Sequence, residues 1–171
     1  IRRERSNTMS NLLVQNIKHT NGTTAQTIDS SGRVNLPNLI CYQANRTAGD
    51  VSNGSIYIGN NVVLNKGNGY NSSTGKFTCP INGIYHFYFN ILTNSNQILN
   101  DMSLYKNGTA TSDRLGRCRV DNGGNSDSRG TATLSVSSEC VSGDEIFLQV
   151  TGGGFYGQEE SHTGFGGYLL G

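Results

Sequence analysis

The residues with the greatest capacity for covalent or metal chemistry are the four cysteines. They are Cys41, Cys79, Cys118 and Cys140. No two of them form the closely spaced Cys-x-x-Cys pair of structural zinc sites, so the spacing argues against zinc. The thiols could form up to two disulfides, with three complete pairings open. They could equally be small buried side chains, which is common for free cysteine.

The histidines do not form a recognisable nucleophile-activating arrangement. His19, His86 and His162 are far apart in the sequence. A Ser-His-Asp triad built on His162 and Asp144 has no supporting spacing, and no Gly-x-Ser-x-Gly elbow is present. The run Gly152–Gly154 does not lie between a strand and a helix in a Walker pattern, so it indicates a tight turn. We therefore predict that the protein is not an enzyme.

Acidic residues in or beside the predicted loops are the remaining candidates for metal ligands. They are Asp121, Asp127, Asp144, Glu159 and Glu160. Calcium requires several oxygen ligands, and no EF-hand spacing is present. Solvated loop carboxylates are the favoured interpretation. No cofactor is predicted, and calcium remains an unsupported alternative.

One long predicted loop combines aromatic and polar side chains. Its candidate binding residues are Phe155, Tyr156, Gln158, Glu159 and His162. Such a mixture suits contact with a carbohydrate or a protein, and loops on a rigid scaffold commonly carry binding function. The alternative is that these residues cap an oligomer.

Short apolar blocks separated by Gly and Asn must position these loops. From Pro37 onwards the blocks are Leu39–Gln43, Ile56–Ile58, Val62–Leu64, Phe77–Cys79, Ile84–Leu92, Met102–Tyr105, Ala132–Val136, Ile146–Val150 and Phe165–Leu170. Many short strands with turn signals between them predict an all-β sandwich or barrel. The segments between them predict four long loops, Ala44–Ser55, Lys66–Lys76, Arg119–Gly130 and Thr151–Gly164.

The block Gly83–Ile91 alternates most clearly. A period of two puts Tyr85, Phe87, Phe89 and Ile91 on one face, which is predicted to be core. The opposite face carries Ile84, His86, Tyr88 and Asn90. That face is more apolar than a solvent face usually is, so we expect it to meet a neighbouring subunit.

Charge and hydropathy exclude two kinds of partner. The net charge is +1, and the one basic cluster is Arg2, Arg3 and Arg5. Three charges provide little phosphate binding, so no nucleic-acid partner is predicted. No apolar run approaches the ~20 residues of a membrane helix, so no membrane insertion is predicted.

Residues 1–36 are polar, with short apolar patches separated by turn signals at Asn21-Gly22 and Asp29–Gly32. Two short strands with little to bury do not fold alone. We therefore predict two parts, an attachment arm over 1–36 and a knob over 37–171.

The knob resembles the globular head family of complement C1q. The matching segments are Phe77–Phe87 (FTCPINGIYHF), Lys106–Gly108, Ser142–Val150 (SGDEIFLQV) and Thr163–Leu170 (TGFGGYLL). They occur in the family's order and spacing, and the resemblance covers roughly Pro37 to Gly171. It implies a ten-stranded jelly roll like that of tumour necrosis factor, a tight homotrimer, and ligand recognition without catalysis.

The resemblance also implies aromatic and aliphatic faces along a threefold axis. The residues expected in the core or the trimer interface are Tyr85, Phe87, Tyr88, Phe89, Phe147, Phe165, Tyr168 and Leu170.

The segment Leu12–Val34 resembles a segment of marine phage tail-fibre proteins, and no collagen-like Gly-x-y stretch precedes the knob. The sequence therefore predicts a virion structural protein, a trimeric fibre or spike knob on the phage particle. Residues 1–36 would attach to other virion proteins, and the knob would bind a host-surface glycan or protein.

Two alternatives to the fibre knob are a secreted C1q-like recognition or signalling protein, and a capsid decoration or adaptor protein without a receptor. Asn-x-Ser/Thr sequons occur at Asn21, Asn45, Asn53, Asn71 and Asn107. Glycans at such positions would favour the secreted alternative.

Overall fold

The computed structural model describes residues 14–94, 98–123, 128–159 and 162–171. The N-terminal arginines and the calcium candidates Asp127 and Glu160 lie outside these ranges, as does Leu12. The named elements of the described residues are strands and a 3₁₀ turn at Thr111–Asp113. The all-β prediction is therefore confirmed. No described helix has the length and apolar character needed to cross a membrane.

The chain forms two compact units, Ile1–Asn38 and Leu39–Gly171. In the first unit, β1 (Asn16–Lys18), β2 (Thr24–Ile28) and β3 (Val34–Asn35) form an antiparallel three-stranded sheet. None of the described residues of this unit is buried. Three strands need a hydrophobic face to be stable by themselves, and the described residues of this unit bury none.

The second unit is the knob, and its strands form two five-stranded antiparallel sheets. The front sheet has the order β12-β9-β15-β4-β6, and the back sheet has the order β11-β10-β13-β8-β7; β14 and β5 form a separate ribbon. The strands are β4 (Cys41–Asn45), β5 (Val51–Ser52), β6 (Asn61–Lys66), β7 (Tyr70–Asn71), β8 (Lys76–Thr78), β9 (Gly83–Leu92), β10 (Leu99–Lys106), β11 (Arg114–Asp121), β12 (Thr131–Cys140), β13 (Glu145–Gly152), β14 (Gly154–Phe155) and β15 (Thr163–Leu169). Ten strands in two sheets are the predicted jelly roll.

The core between the two sheets is built around stacked aromatic rings. Tyr42 of the front sheet stacks on Phe77 of the back sheet with ring centres 4.4 Å apart, and Phe165 meets Tyr42 edge-on at 5.1 Å. Offset and edge-on pairs are the geometries that aromatic quadrupoles favour. These rings therefore fix the two sheets against each other.

The alternation of β9 matches its burial. Tyr85, Phe87, Phe89 and Ile91 are each at most 2% exposed. The same inward face continues onto β15, where Phe165 is fully buried. The residues between them point outward, as the period of two requires.

The arginine-bearing strand β11 was not predicted. The sequence analysis started a loop at Arg119, whereas the strand continues to Asp121. Its arginines alternate with Cys118 and Val120, which pack against the core, so it lacks a continuous apolar block. Strand β10 also extends beyond the predicted block Met102–Tyr105. The added residues include Asp101, a polar residue that is covered by arginines of β11.

Candidate functional site

The outward side of the front sheet is the first candidate surface, called the front face here. It is formed by Leu64, Ile84, His86, Tyr88, Tyr168 and Leu170. Ile84 is 50% exposed, Tyr168 40% and Leu170 57%. Contiguous exposed apolar side chains on a sheet indicate an interaction surface.

Paired glycines on β15 make the front face flat. A Cβ atom at Gly166 would lie 2.5 Å from the Tyr88 ring, and one at Gly167 would lie 2.6 Å from Phe87 on the core side. Neither side chain can therefore be added without moving an aromatic ring. The two glycines let Tyr88 lie across the outside of β15 while Phe87 packs beneath it.

His86 lies at the centre of this face and is fixed by neutral partners. Its Nε2 is 2.7 Å from Ser135 Oγ, its Nδ1 is 3.0 Å from Ser137 Oγ, and its ring lies 5.3 Å from that of Tyr168. A catalytic triad needs a carboxylate to orient the histidine. Both ring nitrogens of His86 instead contact serine hydroxyls. These contacts fix the ring on the front face and do not provide the carboxylate that a triad needs.

The edge strand β6 extends the apolar character sideways. Its residues Val62, Val63 and Leu64 are all at least 38% exposed. An exposed apolar edge strand promotes pairing with another chain unless something covers it. This edge and the front face together give the knob a continuous surface suited to self-association.

The second candidate surface, called the loop cluster here, surrounds Tyr156. The Arg129 guanidinium lies 4.3 Å above the Tyr156 ring centre, and the His162 ring lies 5.6 Å from it. His162 Nδ1 is 3.4 Å from the Glu159 carboxylate. The sequence analysis did not single out Arg129, because 27 residues separate it from Tyr156 in the chain.

Hydrogen bonds anchor the loop cluster to the sandwich. The Tyr156 amide donates to the Leu92 carbonyl at 2.9 Å. The Asp50 carboxylate accepts from Asn94 Nδ2 at 2.7 Å and from the Gly157 amide at 3.3 Å. The backbone that carries Tyr156 is therefore held on both sides, while the Tyr156 side chain is half-buried and Arg129 is exposed.

The structure corrects one predicted binding residue and locates the others. Phe155 is fully buried on the ribbon strand β14, so its side chain cannot touch a ligand. Gln158, Glu159 and His162 are exposed and Tyr156 is half-buried.

The predicted core and trimer residues divide between three places. Tyr85, Phe87, Phe89 and Phe165 lie between the two sheets, and Tyr88, Tyr168 and Leu170 lie on the front face. Phe147 departs from the expectation, because it is buried on the outward side of the back sheet, under Tyr105 and Lys76.

The acidic residues proposed for calcium are occupied otherwise where the structure describes them. The Asp144 carboxylate accepts from Asn107 Nδ2 at 2.8 Å and from the Val141 amide at 2.9 Å. Asp121 accepts from the Gly123 amide at 2.8 Å. Among the described residues no group of three or more His, Cys, Asp or Glu side chains is placed to hold a metal ion.

Comparisons with known proteins agree with this architecture. Solved structures of the same fold include the globular domain of zebrafish complement 1qA protein (TM-score 0.60, 14% identity, 78% of this chain and 97% of that one). Another is Eiger TNF from S. frugiperda (TM-score 0.64, 14% identity, 78% of this chain and 93% of that one). The fold therefore defines a jelly roll of the C1q and tumour necrosis factor type.

The family model of the C1q domain matches residues 41–170. The chain belongs to the C1q domain family. It is 34% identical over 116 residues to mouse complement C1q and tumor necrosis factor-related protein 9, an alignment that covers 64% of this chain and 31% of the relative. It is 29% identical over 115 residues to the mouse collagen alpha-1(X) chain, covering 64% of this chain and 15% of the relative. The chain thus spans less than a third of the aligned relatives' length.

Proposed function

We propose that the knob is the ligand-binding head of an extracellular, homotrimeric recognition protein that works by binding and not by catalysis. The observation that carries this proposal is the front face, a flat surface with Ile84, Tyr168 and Leu170 exposed on a domain of the C1q family. Relatives named as complement-related and collagen chains support the extracellular setting.

Self-association would bury the front face. Three copies around an axis would remove the exposed parts of these apolar side chains from water, a change worth roughly 25 cal/mol per Å² of apolar surface. His86, already paired with Ser135 and Ser137, adds no unpaired charge to such an interface when its ring is neutral.

The loop cluster is the proposed ligand contact. Tyr156 offers an aromatic ring, while Arg129 and Glu159 offer a donor and an acceptor beside it. Aromatic rings flanked by polar groups suit a glycan or a protein surface. Three such weak sites on one rigid head raise the overall affinity without new contacts at each site.

A second candidate is the knob of a virion fibre, supported by the N-terminal unit. Its three short strands form a sheet in which no described residue is buried, so the sheet would need a partner to cover it. In this setting residues 1–36 would join other virion proteins. A capsid decoration or adaptor role differs only in lacking a receptor.

The first experiment is the mass in solution of residues 1–171 and 37–171, by light scattering after size exclusion. Trimers of both support the proposed head and leave residues 1–36 as an attachment arm. A trimer of the longer form alone moves the assembly role to the arm. Monomers of both contradict the proposal, because the front face would then have no partner.

The setting is tested separately by mass spectrometry on the protein from its natural source. Glycans at Asn53, which lies in a turn, or at Asn71, which ends β7, would support secretion through a glycosylating pathway, since both residues are exposed. Detection of the chain in purified particles supports the virion role instead, and imaging its position there distinguishes a fibre tip from a capsid surface.

A further inference from the structure

The two buried cysteines Cys79 and Cys140 come from different sheets and meet at one end of the core. Cys79 follows the back-sheet strand β8, and Cys140 is the last residue of the front-sheet strand β12. Each is 1% exposed, and both belong to the same apolar cluster. A covalent bond between them would join the sheets directly.

The main chain holds the two residues at this meeting point. The Cys79 amide donates to the Asp144 carbonyl at 2.8 Å, and the Cys79 carbonyl accepts from the Gly143 amide at 2.9 Å. Cys140 pairs in register with Gly83, four residues after Cys79. The segment that follows Cys140 therefore folds back onto Cys79 itself.

The turn after Cys140 is closed by further hydrogen bonds. The Asp144 amide donates to the Val141 carbonyl at 3.1 Å, and the Val141 amide donates to the Asp144 carboxylate at 2.9 Å. Ser142 Oγ donates to the Pro80 carbonyl at 3.0 Å. These bonds tie both ends of the turn to the residues around Cys79, so the approach of the two thiols does not depend on a flexible loop.

The Cys140 thiol donates to the Ser138 carbonyl at 3.8 Å, and the thiols of Cys79 and Cys140 are close enough to affect each other's ionisation. Interaction with the Cys140 thiol, together with burial, raises the pKa of Cys79, and interaction with the Cys79 thiol lowers the pKa of Cys140. Such an interaction favours the charged form of one group and the neutral form of the other. Cys140 is therefore the better nucleophile of the two, since the thiolate is the reactive species.

The other two cysteines are not placed to form a disulfide with Cys79 or Cys140. Cys41 pairs in register with Tyr168, whose side chain is on the front face, so Cys41 lies on the outward side of the sheet whose inward side carries Cys140. Cys118 packs toward the core, but it lies far from Cys140 along the strand direction.

The position of Cys118 follows from two glycine contacts. Val120 packs against Gly130, and Leu134 packs against Gly116. Cys118 is midway between Gly116 and Val120, so it lies beside residue 132, eight residues before Cys140. At about 3.3 Å per residue along a strand, eight residues correspond to ~26 Å, beyond the reach of a disulfide.

We propose that Cys79 and Cys140 form a disulfide, closed during folding, before both thiols are buried, by exchange with a low-molecular-weight disulfide. The Cys140 thiolate attacks one sulfur of the small disulfide, which forms a mixed disulfide and releases one small thiol. The Cys79 thiol loses its proton, and its sulfur attacks Cys140 Sγ and releases the second small thiol. The protein loses two hydrogen atoms and two electrons, and the small disulfide is reduced to two thiols.

The disulfide would act on stability by restricting the unfolded chain. It closes a loop of about 60 residues, for which the loop-entropy relation and the usual heat of unfolding give a rise in Tm of roughly 5–15 °C. An extracellular setting would keep this bond closed. The inference does not depend on the trimer or on the ligand.

The test is disulfide mapping of the full chain after refolding from denaturant in the presence of glutathione disulfide. Remaining thiols are alkylated in denaturant, and proteolytic fragments are analysed by mass spectrometry. The expected result is a linked Cys79–Cys140 fragment lacking two hydrogens, with Cys41 and Cys118 each alkylated. Alkylation of all four cysteines, or a link that includes Cys41 or Cys118, would overturn the proposal.

Two variants complete the test. Cys41→Ala/Cys118→Ala keeps both proposed partners, so it should form the link and show the oxidised-minus-reduced rise in Tm. Cys140→Ala removes one partner, so its Tm should be the same under oxidising and reducing conditions. A rise in Tm on oxidation of Cys140→Ala would contradict the assignment, and mapping of the unmodified chain stands even if this variant folds poorly.

Discussion

The main-chain amide of Leu170 donates a 2.8 Å hydrogen bond to the carbonyl oxygen of Ile84. This bond fixes two exposed apolar side chains next to each other at one end of the front face. Tyr168 and His86 form the next row of the same face, in register. The apolar surface is therefore set by strand pairing and is present before any partner binds.

A charge introduced at Ile84 should separate the proposed trimer. Ile84→Glu would place a carboxylate in a surface that self-association desolvates, and burial of an unpaired charge is strongly unfavourable. The mass by light scattering should fall to about one third of that of the unmodified trimer. The circular dichroism spectrum should not change, because Ile84 is half exposed in the single chain.

Ile98→Glu is the matched control for this measurement. Ile98 is 63% exposed and precedes β10 of the back sheet, so it is equally accessible but not on the front face. Its mass should equal that of the unmodified protein. If Ile84→Glu also keeps the trimer mass, the front face is not the interface.

Two buried tyrosines should respond oppositely to loss of the hydroxyl. Tyr42 Oη is buried and has no hydrogen-bond partner among the described residues. Tyr70 Oη accepts from the Gly59 amide at 2.9 Å and donates to its carbonyl at 3.2 Å. Because an unsatisfied buried hydroxyl costs free energy, Tyr42→Phe should raise the free energy of unfolding by about 1 kcal/mol.

Tyr70→Phe should lower the free energy of unfolding by about 1–3 kcal/mol, since it leaves the Gly59 amide and carbonyl unpaired. Urea denaturation of both variants under one set of conditions provides the comparison. Equal losses of stability would show that packing of the rings, and not hydrogen bonding, decides the effect at both positions.

How far the sequence predicts the fold depends on whether one face of a strand is clearly more apolar than the other. Strand β9 meets this condition, and its inward residues from Tyr85 to Ile91 were predicted to be core. Strand β10 does not, because all residues from Asn100 to Tyr105 are buried. Its outward side is covered by arginines of β11, and such cover depends on tertiary pairing that no local pattern records.

The loop cluster shows a similar limit. The mixture of aromatic and polar residues after Gly154 predicts a binding loop, and Tyr156 is half-buried there. The same pattern included Phe155, because alternation over two residues of a short ribbon cannot be told from a loop. Arg129 comes from another loop and reaches Tyr156 only through folding, since Gly130 is bonded to Thr93 Oγ1 at 2.8 Å.

The ion-pair cluster at Asp101 should make stability depend on pH in the acid range. Asp101 is buried, and Arg117 and Arg119 both donate hydrogen bonds to its carboxylate. Burial raises the pKa of Asp101, but the hydrogen bonds from Arg119 and Arg117 together outweigh burial and hold the pKa below its ordinary value. The carboxylate therefore stabilises the folded state above about pH 4.

This contribution is lost as the pH falls through the lowered pKa of the folded state, because protonation then costs the two arginines their partner. The free energy of unfolding, measured by urea denaturation between pH 6 and pH 3, should decrease. Asp101→Asn should be less stable by about 2 kcal/mol at pH 6, a value reduced for the exposure of the arginines. Its decrease toward pH 3 should be smaller.

Glu139→Gln provides the control for the pH series, since Glu139 is exposed on the outer strand β12. Its pH profile should follow that of the unmodified protein. If Asp101→Asn shows the same decrease as Glu139→Gln, the Asp101 cluster does not determine the acid sensitivity.

Removal of the Tyr156 ring should weaken ligand binding without unfolding the knob. Tyr156→Ala deletes the ring on which Arg129 stacks and which we propose contacts the ligand, and one aromatic contact is worth about 0.5–1.5 kcal/mol. A loss of that size repeated at three linked sites should raise the half-saturation concentration on glycan arrays or on cells at least ~10-fold, because the sites bind together. Tyr156→Phe keeps the ring and should bind nearly as the unmodified protein does.

The Tm of both variants should stay close to that of the unmodified protein, because the ring is half-buried and the Tyr156 amide keeps its bond to Leu92. Unchanged binding by Tyr156→Ala would exclude the loop cluster as the contact and direct attention to the other exposed loops of the head.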